Sequence, residues 1–273
     1  MFPRALLWTV AAGAGVALAI GVGAWLYTLV SFLIARRWLP KRPFKDTAVE
    51  ALREAILAML VTPLLPFYVL VGHRMGGPKK GTPIVLVHGY TQNRANFVLL
   101  ARALGRAGIG PVYGFNYWSF ADVRKSARRL ERFVQRVCKD THTEEVDLVC
   151  HSMGGLVAVE CVLRAPARIR RCVTIASPHR GVLWEGPLVG RGAAQMRAGR
   201  SSIIDEHEAS VLGVPLLSIS SAHDNVVHPA ERTSVAHRGG ADLVVEGPGH
   251  LAILFDPRVI SETVRFLKAG APA

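Results

Sequence analysis

The chain divides by the rhythm of its apolar positions. From Ala5 to Ala35 no residue is charged; Arg4 precedes the run, and Arg36, Arg37, Lys41 and Arg42 follow it. At ~1.5 Å rise per residue, a helix over this stretch is more than long enough to cross a hydrocarbon core of ~30 Å. A cleaved signal peptide normally has an apolar region of only about 7–15 residues. This run continues through Trp25, Tyr27 and Phe32, so residues 1–36 are expected to form an uncleaved transmembrane anchor.

A second uncharged stretch, Ala55 to Gly72, carries Pro63 and Pro66, which break a continuous helix. It reads as a helix in the interface, a segment packed on the following domain, or a kinked second span. With one span, the basic cluster after the anchor puts the rest of the chain in the cytoplasm. With two, that cluster becomes a cytoplasmic loop and the rest faces outward. Residues 37–81 are therefore read as a basic linker plus a second apolar segment, closed by the polar break GGPKKG at Gly76–Gly81.

From 82 to 273 the pattern changes. Short apolar runs appear at Ile84–Val87, Val112–Phe115, Val146–Cys150, Cys172–Ile175, Leu216–Ile219 and Leu243–Val245. They are near-continuous rather than alternating, as expected of strands covered on both faces. Between them lie helical periods at about Asn93–Ala107, Phe120–Val137, after Ser152 to near Pro166, and Pro257–Lys268. Such alternation predicts βαβ units and a parallel, doubly wound sheet. A stretch rich in glycine and arginine, about His179 to Ser210, interrupts the rhythm, with Leu183, Trp184, Leu188 and Val189 near its start. It reads as a lid-like insertion or an ordinary surface loop.

The composition adds limits. The 273 residues are 50% apolar, enough for one domain with a large core plus an extra segment. The net charge of +13 invites a nucleic-acid reading, but no such motif is present. Many basic residues, such as Arg124, Lys125, Arg128, Arg129, Arg132 and Arg136, fall on the solvent face of a helical period. Attraction to anionic lipid headgroups accounts for the charge. The expected partners are thus the membrane and no nucleic acid, with the oligomeric state open. Cys138, Cys150, Cys161 and Cys172 match neither a disulfide scaffold nor metal-ligand spacing and read as small core residues.

The chemistry gathers where strands end. Val146–Cys150 runs straight into His151-Ser152-Met153-Gly154-Gly155. A strand turning sharply into a helix exposes the side chain at the turn and needs small neighbours, the logic of G-x-S-x-G. Gly154 holds the second glycine position, while Cys150 stands at the first. A serine hydroxyl needs a base. The run Leu216–Ile219 leads to Asp224, and Leu243–Val245 leads to His250. Ser152, Asp224 and His250 follow the chain order of this type of site. The rivals are weaker. His223 and His228 flank Asp224 as loop residues, and His151 is on the wrong side of the turn. Asp205, Asp242 and Asp256 are alternative acids, with Asp256 placed to cap a helix. The oxyanion donors are expected to be the N–H groups of Met153 and Tyr90, supported by His88, Gly89, His151 and Gly154. Asn93 doubles as a helix cap.

Five segments carry a family resemblance: VHGYTQN from Val87, CHSMGGLVA from Cys150, ASPHRG from Ala176, SAHDNVV from Ser221 and GPGHLAILFDP from Gly247. Together, from about Pro83 to Leu267, the chain resembles the α/β-hydrolase superfamily, in particular its bacterial lipase and carboxylesterase branch. The resemblance implies a mostly parallel sheet with helices on both faces, here preceded by a transmembrane helix. It implies ester hydrolysis through an acyl-enzyme, no cofactor and no metal, and makes His179 and Arg180 a candidate substrate rim. The leading expectation is a membrane-anchored lipase or carboxylesterase, with the bacterial inner membrane as its location. A thioesterase or amidase would use the same triad. A catalytically silent scaffold would not need all three residues, and dehalogenase or epoxide hydrolase chemistry calls for an aspartate at the elbow.

Overall fold

The computed structural model describes residues 4–41, 43–62, 72–183, 189–199 and 202–269. Pro63 and Pro66 of the second apolar stretch, and Trp184 and Leu188 of the insertion, lie outside them.

Two helices lead the chain, α1 (Arg4–Ala35) and α2 (Phe44–Val61). Between Ala11 and Ala35 the mean hydropathy is 2.0, so by length and composition α1 is able to cross a membrane. It is joined to α2 by a turn bracketed by Pro40 and Pro43, and the two pack side by side. One face of α1 is covered, with Thr28, Ser31, Phe32 and Ala35 buried, while Leu18 and Leu33 remain 65% exposed. On α2 the buried face is Glu54, Ala55 and Ala58; Phe44, Val49, Leu52 and Leu60 face outward.

The remainder is a seven-stranded sheet: β1 (Arg74–Gly76), β2 (Ile84–Val87), β3 (Val112–Phe115), β4 (Val146–His151), β5 (Ile169–Ile175), β6 (Leu216–Ser221) and β7 (Ala241–Val245). Their spatial order is β1-β3-β2-β4-β5-β6-β7. All neighbours run parallel except β1, which pairs antiparallel with β3. Each predicted strand is present. The added strand β1 has no apolar run to announce it, only Arg74, Met75 and Gly76 on a sheet edge.

Why the apolar runs are continuous is visible in β2. Val85 and Val87 enter one core layer, with Leu130 and Val134 of α4 (Val123–Thr141) and Leu156 of α5 (Met153–Arg164). Ile84 and Leu86 enter the other, with Leu100 and Leu104 of α3 (Val98–Arg106) and Val259 of α8 (Pro257–Lys268). At roughly 1.5–3 kcal/mol per fully buried large aliphatic side chain, both layers are needed to hold the sheet rigid beneath the site. Helix starts follow the expected chemistry. Asn93 accepts from the Ala95 amide, Asp122 from Lys125 and Asp256 from Arg258. The insertion contributes α6 (Arg191–Ala194) and α7 (Ser202–Glu208). All four cysteines are free and buried.

Candidate active site

The strand β4 is central in the sheet, and at its carboxyl end the chain turns into α5 within one residue, Ser152. Ser152 has φ +53° and ψ −129°, a conformation that L-residues rarely adopt and that marks stored local strain. The turn is that tight because the backbone around it is crowded. A Cβ on Gly154 would collide with the carbonyl oxygens of Val87 and His88, and one on Gly155 with Ser177. A Cβ on Gly89 would lie 2.8 Å from that of Ser152. Cys150 causes no such conflict. It is the residue before the end of β4, paired with Val87 and Thr174, and its side chain points into the core.

The loop after β6 brings Asp224, and the loop after β7 brings His250. His250 Nε2 is 2.9 Å from Ser152 Oγ, and its Nδ1 is 2.8 Å from Asp224 Oδ2. The second oxygen of Asp224 accepts the amides of Val226 and Val227, at 2.7 and 2.8 Å, which fixes the carboxylate. The three residues expected from the sequence therefore meet. Burial by itself disfavours a charged His250, but the charge and hydrogen bond of Asp224, with Glu54 behind, outweigh it and raise its pKa.

The other histidines have different tasks. His151 donates from Nε2 to the carbonyl oxygen of His250, and its Nδ1 lies 2.9 Å from the side chain of Gln92, whose Oε1 accepts the Gly89 amide. Burial, then the proximity of His250, keeps His151 neutral. Burial likewise pushes His88 down to about 4. It stacks on Tyr117, whose hydroxyl donates to the His88 carbonyl, and so braces the loop that carries Gly89 and Tyr90. His223 accepts the Gly247 amide. Asp205 lies exposed on α7, Asp242 accepts from Ser234 and Val235, and Asp256 caps α8.

Two expected positions fall elsewhere. His179 is fully buried, hydrogen-bonded to Thr174 of β5, and pushed down by burial to about 3. Arg180 is ion-paired with Glu208. Neither lines the cavity at Ser152; the insertion reaches it instead through Val182 and Met196. The reason is the turn at Gly181, with φ +73°, which directs the chain after Arg180 back over the site.

Residues outside the motifs complete the site. Asn225 Oδ1 accepts the His250 amide at 2.9 Å, while its Nδ2 donates to Ser31 Oγ of α1 at 2.5 Å. Glu54 of α2, 3% exposed, accepts the amides of Leu251 and Ala252. Burial pushes its carboxyl up to about 7. The histidine loop is thus gripped from the N-terminal helices at two points. An Asx-type neighbour of Asp224 and an acid directly ahead of the second apolar stretch are the traces of this in the sequence.

Comparison with known proteins agrees with this architecture. Residues 84–216 match the model of the alpha/beta hydrolase family. Lipase B of Aspergillus fumigatus superposes with TM-score 0.60 and 17% identity, over 72% of this chain and 55% of that one. The chain thus spans just over half the length of that fungal lipase. A lipase of Bacillus licheniformis in its mature form gives 0.62 and 15%, over 71% of this chain and 94% of that one. Carboxylesterase CesB of Bacillus subtilis gives 0.51 and 21%, over 71% and 86%. At these identities the likeness is one of fold. Sheet order and elbow give the chain the α/β-hydrolase fold, and just under half of its residues match that family's model.

Proposed function

We propose that this protein is a serine hydrolase of carboxylic acyl esters, held at a membrane by α1. The observation that carries the reading is the continuous relay from Ser152 Oγ through His250 to Asp224, with Ser152 on a strained turn at a helix start. His250 takes the hydroxyl proton as Ser152 attacks the ester carbonyl, and Asp224 fixes the imidazole tautomer and stabilises the imidazolium. The tetrahedral oxyanion is met by the Met153 N–H, at the unsatisfied amide end of α5, and by the Tyr90 N–H. The close approach of Gly89 to Ser152 supports that second donor, since it brings the loop against the nucleophile. His250 then returns its proton to the leaving alcohol, which departs and leaves an acyl-serine. Water, activated by the same imidazole, releases the acid. Lipases and a carboxylesterase among the solved structures of this fold support the ester as the bond attacked.

The test uses the full-length protein in mild detergent, p-nitrophenyl esters of graded acyl length, and a fluorophosphonate probe. Wild type should turn over ester and be labelled, and Ser152→Ala should do neither. Absence of both activities in wild type overturns the reading.

A further inference from the structure

The cavity above Ser152 has a volume of about 430 Å³, and the catalytic loops supply only part of its wall. Another part is α1, through Ile20, Gly23, Ala24, Tyr27 and Thr28. These positions recur every three or four residues, so they form one helical face. All lie inside the apolar stretch Ala11–Ala35. Ala58 and Val61 of α2 close the adjoining side.

The small residues make this face a groove. A Cβ placed on Gly23 would meet no atom within 4 Å. On the outer side of the same turns Leu18, Val22, Leu26 and Val30 are exposed and apolar. One helix therefore separates a catalytic cavity from a surface suited to lipid. The uncharged turns of α1 between the charged Arg4 and Ile20 rise only about 23 Å, short of the ~30 Å hydrocarbon core. A bilayer spanned by α1 must extend down to the turns that line the cavity, which sets the cavity mouth at the edge of the hydrocarbon.

We propose that Ser152 is supplied from the bilayer. The acyl chain of a membrane-resident lipid ester lies along the Ile20–Gly23–Ala24 face of α1, with its ester carbonyl at Ser152. This rests on the serine-hydrolase reading above and adds the substrate class and the residues that select it. Each methylene seated in such an apolar wall strengthens binding about fourfold, so the groove favours long chains over short ones. Gly23 is the position that leaves room for them.

The experiment compares wild type, Gly23→Leu and Ala24→Leu with Gly13→Leu, a substitution on the same helix away from the cavity. Each full-length protein is reconstituted in phosphatidylcholine vesicles and given C4 and C12 p-nitrophenyl esters, with fluorophosphonate labelling to report folded site. Gly23→Leu should lower the C12:C4 ratio of kcat/KM at least tenfold, mainly through KM, and Gly13→Leu should leave that ratio as in wild type. Should Gly23→Leu fail to fold, Ala24→Leu carries the same expectation. An unchanged ratio in the labelled cavity variants overturns the α1 acyl site while leaving the hydrolase intact. C4 and C12 turnover that survives Ser152→Ala overturns the hydrolase reading itself.

Discussion

Glu54 Oε1 accepts the amide of Leu251 at 2.5 Å and its Oε2 that of Ala252 at 2.7 Å, across nearly 200 residues of sequence. These amides follow His250 directly, and Gly249 ahead of it is so close to the carboxylate that a Cβ there would approach Glu54 Oε2 to 2.7 Å. A single helix residue thus sets the backbone on which the imidazole is mounted.

Replacing Glu54 by alanine leaves two amides without their acceptor, at a cost of about 1–3 kcal/mol each. The expected result is a lower melting temperature together with a kcat reduced by about 10–100-fold, as a misplacement near 1 Å produces. Glu54→Gln keeps one acceptor and should fall between alanine and wild type in both measurements.

The pH profile should follow the same contact. His250 acts as a base only when neutral, and its pKa is raised, against burial, by Asp224 and Glu54; the imidazole beside it, His151, is neutral. The acid limb of kcat/KM is therefore expected at a midpoint above the ordinary imidazole value of 6.5. Glu54→Gln removes a negative charge that favours imidazolium, so the midpoint should move to lower pH. Stability runs with the opposite group. Glu54 has a folded pKa of about 7 against an ordinary 4.5, so wild type binds more protons folded than unfolded between those values. Wild type should lose stability relative to Glu54→Gln as pH rises from 4.5 to about 7, and track it above that. Thermal melts of both proteins across this range check the sign.

At the elbow, Cys150→Gly restores the commoner glycine spacing but should not improve the enzyme. The thiol is fully buried in β4, and the turn already forms beside it. Losing that packing and placing glycine inside a strand should cost about 2 kcal/mol, read as a lower denaturation midpoint with labelling of Ser152 retained. Gly154→Ala should do the reverse, forcing a Cβ into the Val87 and His88 carbonyls and abolishing labelling.

Cutting the chain at the polar break tests the N-terminal clamps. A protein starting at residue 82 has every motif residue, yet it lacks Ser31 and Glu54, together with the edge strand β1. It should show at most about one hundredth of full-length ester turnover, measured in detergent where substrate access is equal. Full activity in that fragment would show that the clamps are dispensable.

The same cut marks the limit of sequence reading. Ser152, Asp224 and His250 were legible because each ends an apolar run that must be a buried strand, and strand ends at one edge of a parallel sheet converge. Asn93 and Asp256 follow from capping, and Asp122 caps its helix in the same way. Glu54 and Ser31 carry no such signal, for their partners are backbone and amide groups far away in the chain. A boundary drawn by composition at residue 81 separates them from the loop they hold. His179 illustrates the opposite error. The family resemblance puts His179 at a substrate rim, but its bond to Thr174 holds it in the core.

The link from Ser31 through Asn225 to His250 also fixes a sequence of events during synthesis. Ser31 precedes Asn225 by 194 residues, roughly 10–40 s of translation at ~5–20 residues per second. When the histidine loop emerges, the helix that receives it has already been made. On the serine-hydrolase reading, the catalytic histidine is not fully held until the loop after β7 has been made and meets the contact from α1. A chain whose first helix has strayed lacks the Ser31 contact, and its histidine loop is then held from Glu54 alone.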